Sequence, residues 1–283
     1  MNWEEDKLTI VKQYFDCIDA NNRELFSRLD NDISKSKSIY QLVKFIDDRL
    51  SAVWFLTMND KLWDADIIDR SVLEALIKLN FIVYAPTDEE KQKRLKEFWN
   101  DLWEINSLKH SEHSKKHLNH FPDKLSQLAH LSVILTDTEE EELKNKWNRK
   151  DRKALEQKWS FSEMLFSLIK DYKGQTFEMM IGLAHEYRMC SHIAHGDETG
   201  INIIAERKSR PVEQRQIVNR GHFIKLLSNC LAYASWTSIV AMDFIQADKT
   251  FFFNNHSRIE QIKDIEKYYH EEVFNDPDYD KYK

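Results

Sequence analysis

The chain has 283 residues, enough to bury a sizeable core, and a formal net charge of −7 that argues against a globally basic nucleic-acid binder. Only 5 glycines and 4 prolines occur, which leaves few tight turns and argues against a fold of many short strands. Charged residues at 31%, mixed with frequent Leu, Ile, Phe and Trp, suit amphipathic helices.

Apolar residues at helical spacing begin at once. Leu8, Ile10, Val11, Tyr14, Phe15 and Ile18 mark a first helix, and Tyr40, Leu42, Val43, Phe45, Ile46, Leu50, Val53 and Trp54 a second. A strongly apolar helix is predicted from about Ala65 to Tyr84, ended by Pro86. Thr87 and Glu90 form a capping-box pattern ahead of Leu95, Phe98, Trp99, Leu102 and Ile105. Thr136 and Thr138 precede a run of four glutamates, which suits the positive end of a helix dipole. Further helices are predicted over 160–173 and 175–195. Gly196 to Gly200 reads as a turn, and Ile201 to Ala205 as a short strand or extended loop. Val212 to Gln246 reads as a long helix interrupted near Gly221, followed by a polar C-terminal helix. With no repeat, low-complexity linker or clear boundary, the pattern predicts a single all-α domain over 1–283, a multi-helix bundle.

Cys17, Cys190 and Cys230 form no CxxC pair and no zinc spacing, which predicts free thiols in a reducing compartment. The first residues lack both a basic and an apolar signal region, so no signal peptide is expected. Leu226 to Met242 carries no charge, but it is short for a span and holds several Ser, Thr and Asn residues. A core helix of a cytoplasmic protein, without membrane contact, is the reading.

The most informative stretch runs from Tyr187 to Gly196. On a helix advancing about 100° per residue, His185, Arg188, His192 and His195 fall on one stripe, opposite Met179, Leu183, Cys190 and Ala194. Histidine can take or give a proton near neutrality, and arginine can hold a phosphate bidentately, so this stripe has the chemistry for RNA cleavage without a metal. The same residues also suit a structural polar seam, with Arg188 paired to a carboxylate and His195 closing the helix before Gly196.

Arg188 and His195 resemble the R-x4-6-H signature of HEPN-type ribonucleases. That resemblance implies a HEPN-like core with extra N-terminal helices, a homodimer with a composite site, and RNA as substrate. The helix Asp69-Arg70-Ser71-Val72-Leu73-Glu74, with Tyr187-x3-Ser191-x3-His195-Gly196, resembles a family of uncharacterised bacterial helical proteins that pair an R-S-x-x-E helix with a Y-x3-S-x3-H helix. This second likeness spans roughly Trp54 to Met242 and implies a fold more than a function. It nominates Arg70, Glu74, Tyr187, Ser191 and His195 as one cluster. Arg70 and Glu74, at i and i+4, can pair on one face, and charges in so apolar a helix call for partners from the Arg188/His195 helix.

Other features have plainer readings. His110, His113, His117 and His120 form a stripe among polar residues, so a polar surface is favoured over a metal site. The basic run from Lys144 to Lys158, with Trp147 and Trp159, could follow a nucleic-acid backbone but equally serves as a solvated helix face. Phe251 to Phe253 would pack the bundle end or an oligomer contact. There is no phosphate-binding Gly-rich loop and no Glu-x-x-His, so neither a nucleotide fold nor a di-iron bundle is expected. No cofactor or metal is expected. The expected function is a HEPN-like metal-independent endoribonuclease or toxin-type effector using Arg188, His195, Ser191, Tyr187, Arg70, Glu74 and His192. Its partners would be RNA, a second copy and a protein partner or antitoxin. The alternative is a non-catalytic interaction or regulatory module whose Arg/Glu/His cluster is structural.

Overall fold

A computed structural model describes residues 2–172 and 180–275. Among them the secondary structure is helical throughout, with no strand, as an all-α multi-helix bundle requires. The chain divides into two compact units, Met1–Val83 with Tyr172–Lys283, and Tyr84–Asp171. The first junction falls just before Pro86, where the chain cannot continue a helix.

The larger unit begins with α1 (Trp3–Asn31), α2 (Ile33–Met58) and α3 (Leu62–Val83). Asn2 caps α1 by accepting from the Glu4 backbone N–H. α3 buries residues on nearly every side, including Val72, Leu73, Leu76, Ile77 and Leu79, so it is a central helix. It packs against α2, against α10 (Ile181–His195) and against α12 (Val212–Ile245). The expected helix over 175–195 is described from Ile181 onward, and its first residues, Met179 among them, lie outside the described residues. Short α13 (Thr250–His256) and α14 (Lys263–Phe274) close this unit.

Two expectations need correction here. The segment from Ile201 to Ala205 is neither strand nor loop but part of α11 (Glu198–Ser209). Its β-branched residues suggested extension, yet Asp197 caps a helix by accepting from the Gly200 backbone N–H at 3.0 Å. Gly196, at φ 59°, ends α10 in the left-handed conformation that glycine adopts without strain, so only Gly196 and Asp197 separate the two helices. The second correction concerns α12, which runs through Gly221 without a break. A Cβ there would sit 2.6 Å from the Val273 Cγ2, so the missing side chain admits α14 and does not interrupt the helix. The uncharged Leu226–Met242 stretch is the buried centre of α12. No helix among the described residues is long and apolar enough to cross a membrane.

A buried polar seam joins α1, α12 and α13. Asn21 donates to Ser235 Oγ at 3.0 Å, while Asn255 donates to the Cys17 carbonyl at 2.7 Å and to Asn21 Oδ1 at 2.9 Å. Phe252 is fully buried beside it and Phe253 is exposed.

The smaller unit holds α4 (Asp88–Lys96), a π-helical turn (Glu97–Asp101), α5 (Leu102–His117), α6 (Lys124–Leu131), α7 (Asp137–Lys146), α8 (Arg149–Lys158) and α9 (Phe161–Asp171). The capping box appears in full at Thr136 and Glu139. At Thr87 only the cap half forms, because Glu90 turns to Arg94 and Lys158. Most cations of the basic run face acids of their own unit. Lys144 pairs with Glu140, Lys146 with Glu104, Arg152 with Glu112 and Lys158 with Glu97. Trp147 and Trp159 donate their indole N–H to Glu104 and Glu97, at 2.7 and 3.0 Å.

Candidate functional site

The α10 helix, which carries most of the candidate residues, turns three faces to three environments. One face turns to α3. There Arg70 donates through Nε to Ser191 Oγ at 2.7 Å and through a terminal nitrogen to the Tyr187 hydroxyl at 3.0 Å. Its guanidinium also lies over the Tyr187 ring, 4.8 Å from the centroid. The Tyr187 hydroxyl donates onward to Glu74 Oε2 at 3.3 Å, and Ser191 donates back to the Tyr187 carbonyl at 2.7 Å. Burial would raise the Glu74 carboxyl, but Lys78, Arg70 and the Tyr187 hydroxyl outweigh it and hold it below its ordinary range. Burial, with the negative Glu74 beside it, pushes the Tyr187 phenol up.

This arrangement refines the sequence reading. Arg70 and Glu74 are joined through Tyr187 and not by a direct ion pair; Glu74 pairs with Lys78 at 2.7 Å. The α10 helix does supply their partners, but through Tyr187 and Ser191.

The second face is open to solvent. His185, Arg188 and His195 are exposed along it, and no hydrogen bond or ion pair joins Arg188 or His195 to the Arg70 network among the described residues. His192, on the same stripe, is half-buried and bonds through Nδ1 to Asp197 Oδ2 at 2.6 Å. A carboxylate only accepts, so Nδ1 carries the proton and Nε2 is left for another partner. The His192 hydrogen bond, with a second from the Gly200 backbone, holds the Asp197 carboxyl below its ordinary value.

The third face meets α12 across a polar cluster that the sequence reading did not single out. Lys225 Nζ lies 2.7 Å from Glu186 Oε1 and 3.6 Å from Asp66 Oδ1. Asn229 donates to both Asp69 Oδ2 and Glu186 Oε1, at 3.0 and 2.9 Å. Arg207 approaches His222 Nδ1 at 2.6 Å, and His222 Nε2 approaches Asp66 Oδ2 at 2.9 Å. A guanidinium has no acceptor, so Nδ1 accepts and Nε2–H donates, which makes His222 neutral. Burial, the dominant influence, likewise lowers its pKa despite the raising effect of Asp66. Burial and the negative Glu186 raise the Asp69 carboxyl to about 8, while the neighbouring carboxylates hold the Lys225 ammonium firmly protonated.

This cluster borders a cavity of about 560 Å³ between α10, α11, α12 and α14. Its signal was present in the sequence: Asp66 and Asp69 sit one turn apart in an apolar helix, and His222, Lys225 and Asn229 recur at i, i+3 and i+7. Compared with protein families, characterised proteins and solved structures, the chain matches none. Among the described residues no group of three or more His, Cys, Asp or Glu side chains is arranged to hold a metal ion. His113, His117 and His120 stand exposed with ring centroids 6.4 and 6.2 Å apart, and His120 has already left α5 for a 3-10 turn.

Proposed function

We propose that this chain is a HEPN-like, metal-independent endoribonuclease, with the solvent-facing stripe of α10 as its reacting surface. One observation carries the reading. Arg188 and His195 are exposed on the face where His192 is oriented by Asp197, while Tyr187 and Ser191 pin the helix from behind. A carboxylate that fixes one imidazole nitrogen and leaves the other outward is the arrangement general acid–base chemistry needs.

In the proposed reaction His195 takes the proton from a ribose 2′-hydroxyl, and the 2′-oxygen attacks the adjacent phosphorus. The bond to the 5′-oxygen breaks, and protonated His192 gives that oxygen its proton. The products are a 2′,3′-cyclic phosphate and a 5′-hydroxyl end, with no other reactant consumed. Arg188 holds the non-bridging oxygens and stabilises the charge they gain. A second copy, as the resemblance implies, would bring another Arg188/His195 pair to the same substrate, and a toxin-type effector restrained by a protein partner fits such an activity.

The test is cleavage of single-stranded RNA with EDTA present. Wild-type protein should leave cyclic-phosphate ends, and His195→Ala or Arg188→Ala should lower the rate by about 10²-fold or more with an unchanged melting temperature. Undiminished cleavage by His195→Ala sinks the assignment.

A second reading is a non-catalytic interaction module, favoured by the way Arg70, Glu74, Tyr187 and Ser191 satisfy one another internally. In that case wild-type protein cleaves nothing and the Arg70 network serves stability alone.

A further inference from the structure

α1 and α2 each pack against α12, and a crevice of about 250 Å³ stays open between them. Ile18 of α1, Leu50 of α2 and Cys230 of α12 make its middle, and their side chains carry no oxygen. Burial pushes the Cys230 thiol well up, so this middle is also uncharged. Phe15 and Trp54 close one end, their ring centroids 5.9 Å apart and their planes at 52°. Phe15 is 53% exposed, so the ring pair is reachable from solvent. Asn22 and Asp47 close the other end, seven residues along each helix, or roughly 10 Å of helical rise.

The lining keeps a negative charge after every pairing is counted. Asp19 lines the crevice but is matched by Arg23 at 2.9 Å. Asp47 accepts from Asn22 at 2.6 Å and, among the described residues, pairs with no cation. Asp48 and Lys44 of its own helix both act on it, and the repulsion by Asp48 exceeds the attraction by Lys44. Together with burial, that excess pushes the Asp47 carboxyl up.

Ring faces attract cations, and an uncompensated carboxylate favours the same sign. A metal ion would need several oxygen ligands, which the middle of the crevice does not have. A primary ammonium there would leave its N–H donors unmet. A quaternary ammonium needs no hydrogen bond, and midway along the crevice it meets the rings on one side and Asp47 on the other.

We propose that the crevice between α1 and α2 binds a small molecule with a quaternary ammonium head group, held between the Phe15/Trp54 rings and Asp47. The site is independent of the ribonuclease reading, because no residue of α10 takes part and RNA cleavage is not needed for its test.

Isothermal titration calorimetry on the full chain compares choline with 3,3-dimethylbutan-1-ol, which has the same shape with carbon in place of nitrogen. Sodium chloride in the buffer screens any diffuse surface attraction. Choline should bind saturably, and the neutral alcohol at least about tenfold more weakly. Asp47→Asn, which keeps the side chain's shape, should weaken choline about fivefold or more and leave the alcohol unchanged. Should Asp47→Asn fail to fold, Phe15→Leu alters an exposed ring and no charge. It should weaken choline about threefold or more while circular dichroism stays native. No saturable choline binding, equal affinity for the alcohol, or undiminished choline binding by folded Asp47→Asn or by Phe15→Leu would each overturn the proposal.

Discussion

Arg70 shows how one side chain can organise a helix pair. Its planar fork presents Nε and a terminal nitrogen to two different hydroxyls, those of Ser191 and Tyr187. A lysine offers a single point charge and cannot reproduce that geometry. Arg70→Ala should therefore cost about 2–3 kcal/mol, read as a lower midpoint in urea, and Arg70→Lys should recover little of it. A loss under about 0.5 kcal/mol, the level of an ordinary surface change, would show that the network contributes nothing to the α3–α10 contact. The Ser191 and Tyr187 spacing on α10 and the Arg70 position on α3 were all legible as motifs. What the motifs could not say is that Glu74 would choose Lys78 and reach Arg70 only through Tyr187. That choice depends on side-chain directions across two helices, and i to i+4 spacing permits either partner.

At the scale of elements, the tight α10–α11 connection depends on Gly200. A Cβ there would fall 2.4 Å from the His192 carbonyl oxygen, a backbone atom that cannot move aside cheaply. Gly200→Ala should destabilise the protein by about 1–3 kcal/mol and disturb the Asp197 cap, and with it the hydrogen bond that orients His192. Gly221→Ala meets only the Val273 side chain, so its loss in a parallel denaturation series should be smaller. Equal losses would show that backbone crowding at Gly200 is relieved elsewhere. Most helices were readable from apolar spacing and caps, because a helix face long enough to pack must repeat with the helical period. α11 was missed for an identifiable reason. Its Ile-Asn-Ile-Ile-Ala stretch has the β-branched content of a strand, and the capping power of Asp197 outweighs that weak preference.

For the whole molecule, the Asp69 carboxyl ties stability to pH. It ionises near about pH 4 in an unfolded chain and at about 8 in the folded protein, where burial dominates and Asp66, Glu186, Lys225 and Asn229 surround it. Between those values the folded state keeps a proton that the unfolded state has lost. Its stabilising contribution is complete below the unfolded value and disappears as pH rises through the folded one, by at most about 1.4 kcal/mol per pH unit. Denaturation at pH 5.5 and 7.5 should therefore show a steeper fall for wild type than for Asp69→Asn; parallel slopes would exclude the effect.

Sequence alone determined that the chain is helical and that its long uncharged stretch is a core helix. These follow from local periodicity and residue chemistry, which a linear string carries. Only the tertiary structure decided which α10 face is buried, that Arg188 and His195 are exposed, and that Asp66, Glu186 and Lys225 line one cavity with Asp69 buried beside them. Those residues are brought together from α3, α10 and α12 by packing, and the strength of each charge depends on burial and on neighbours far away in the chain.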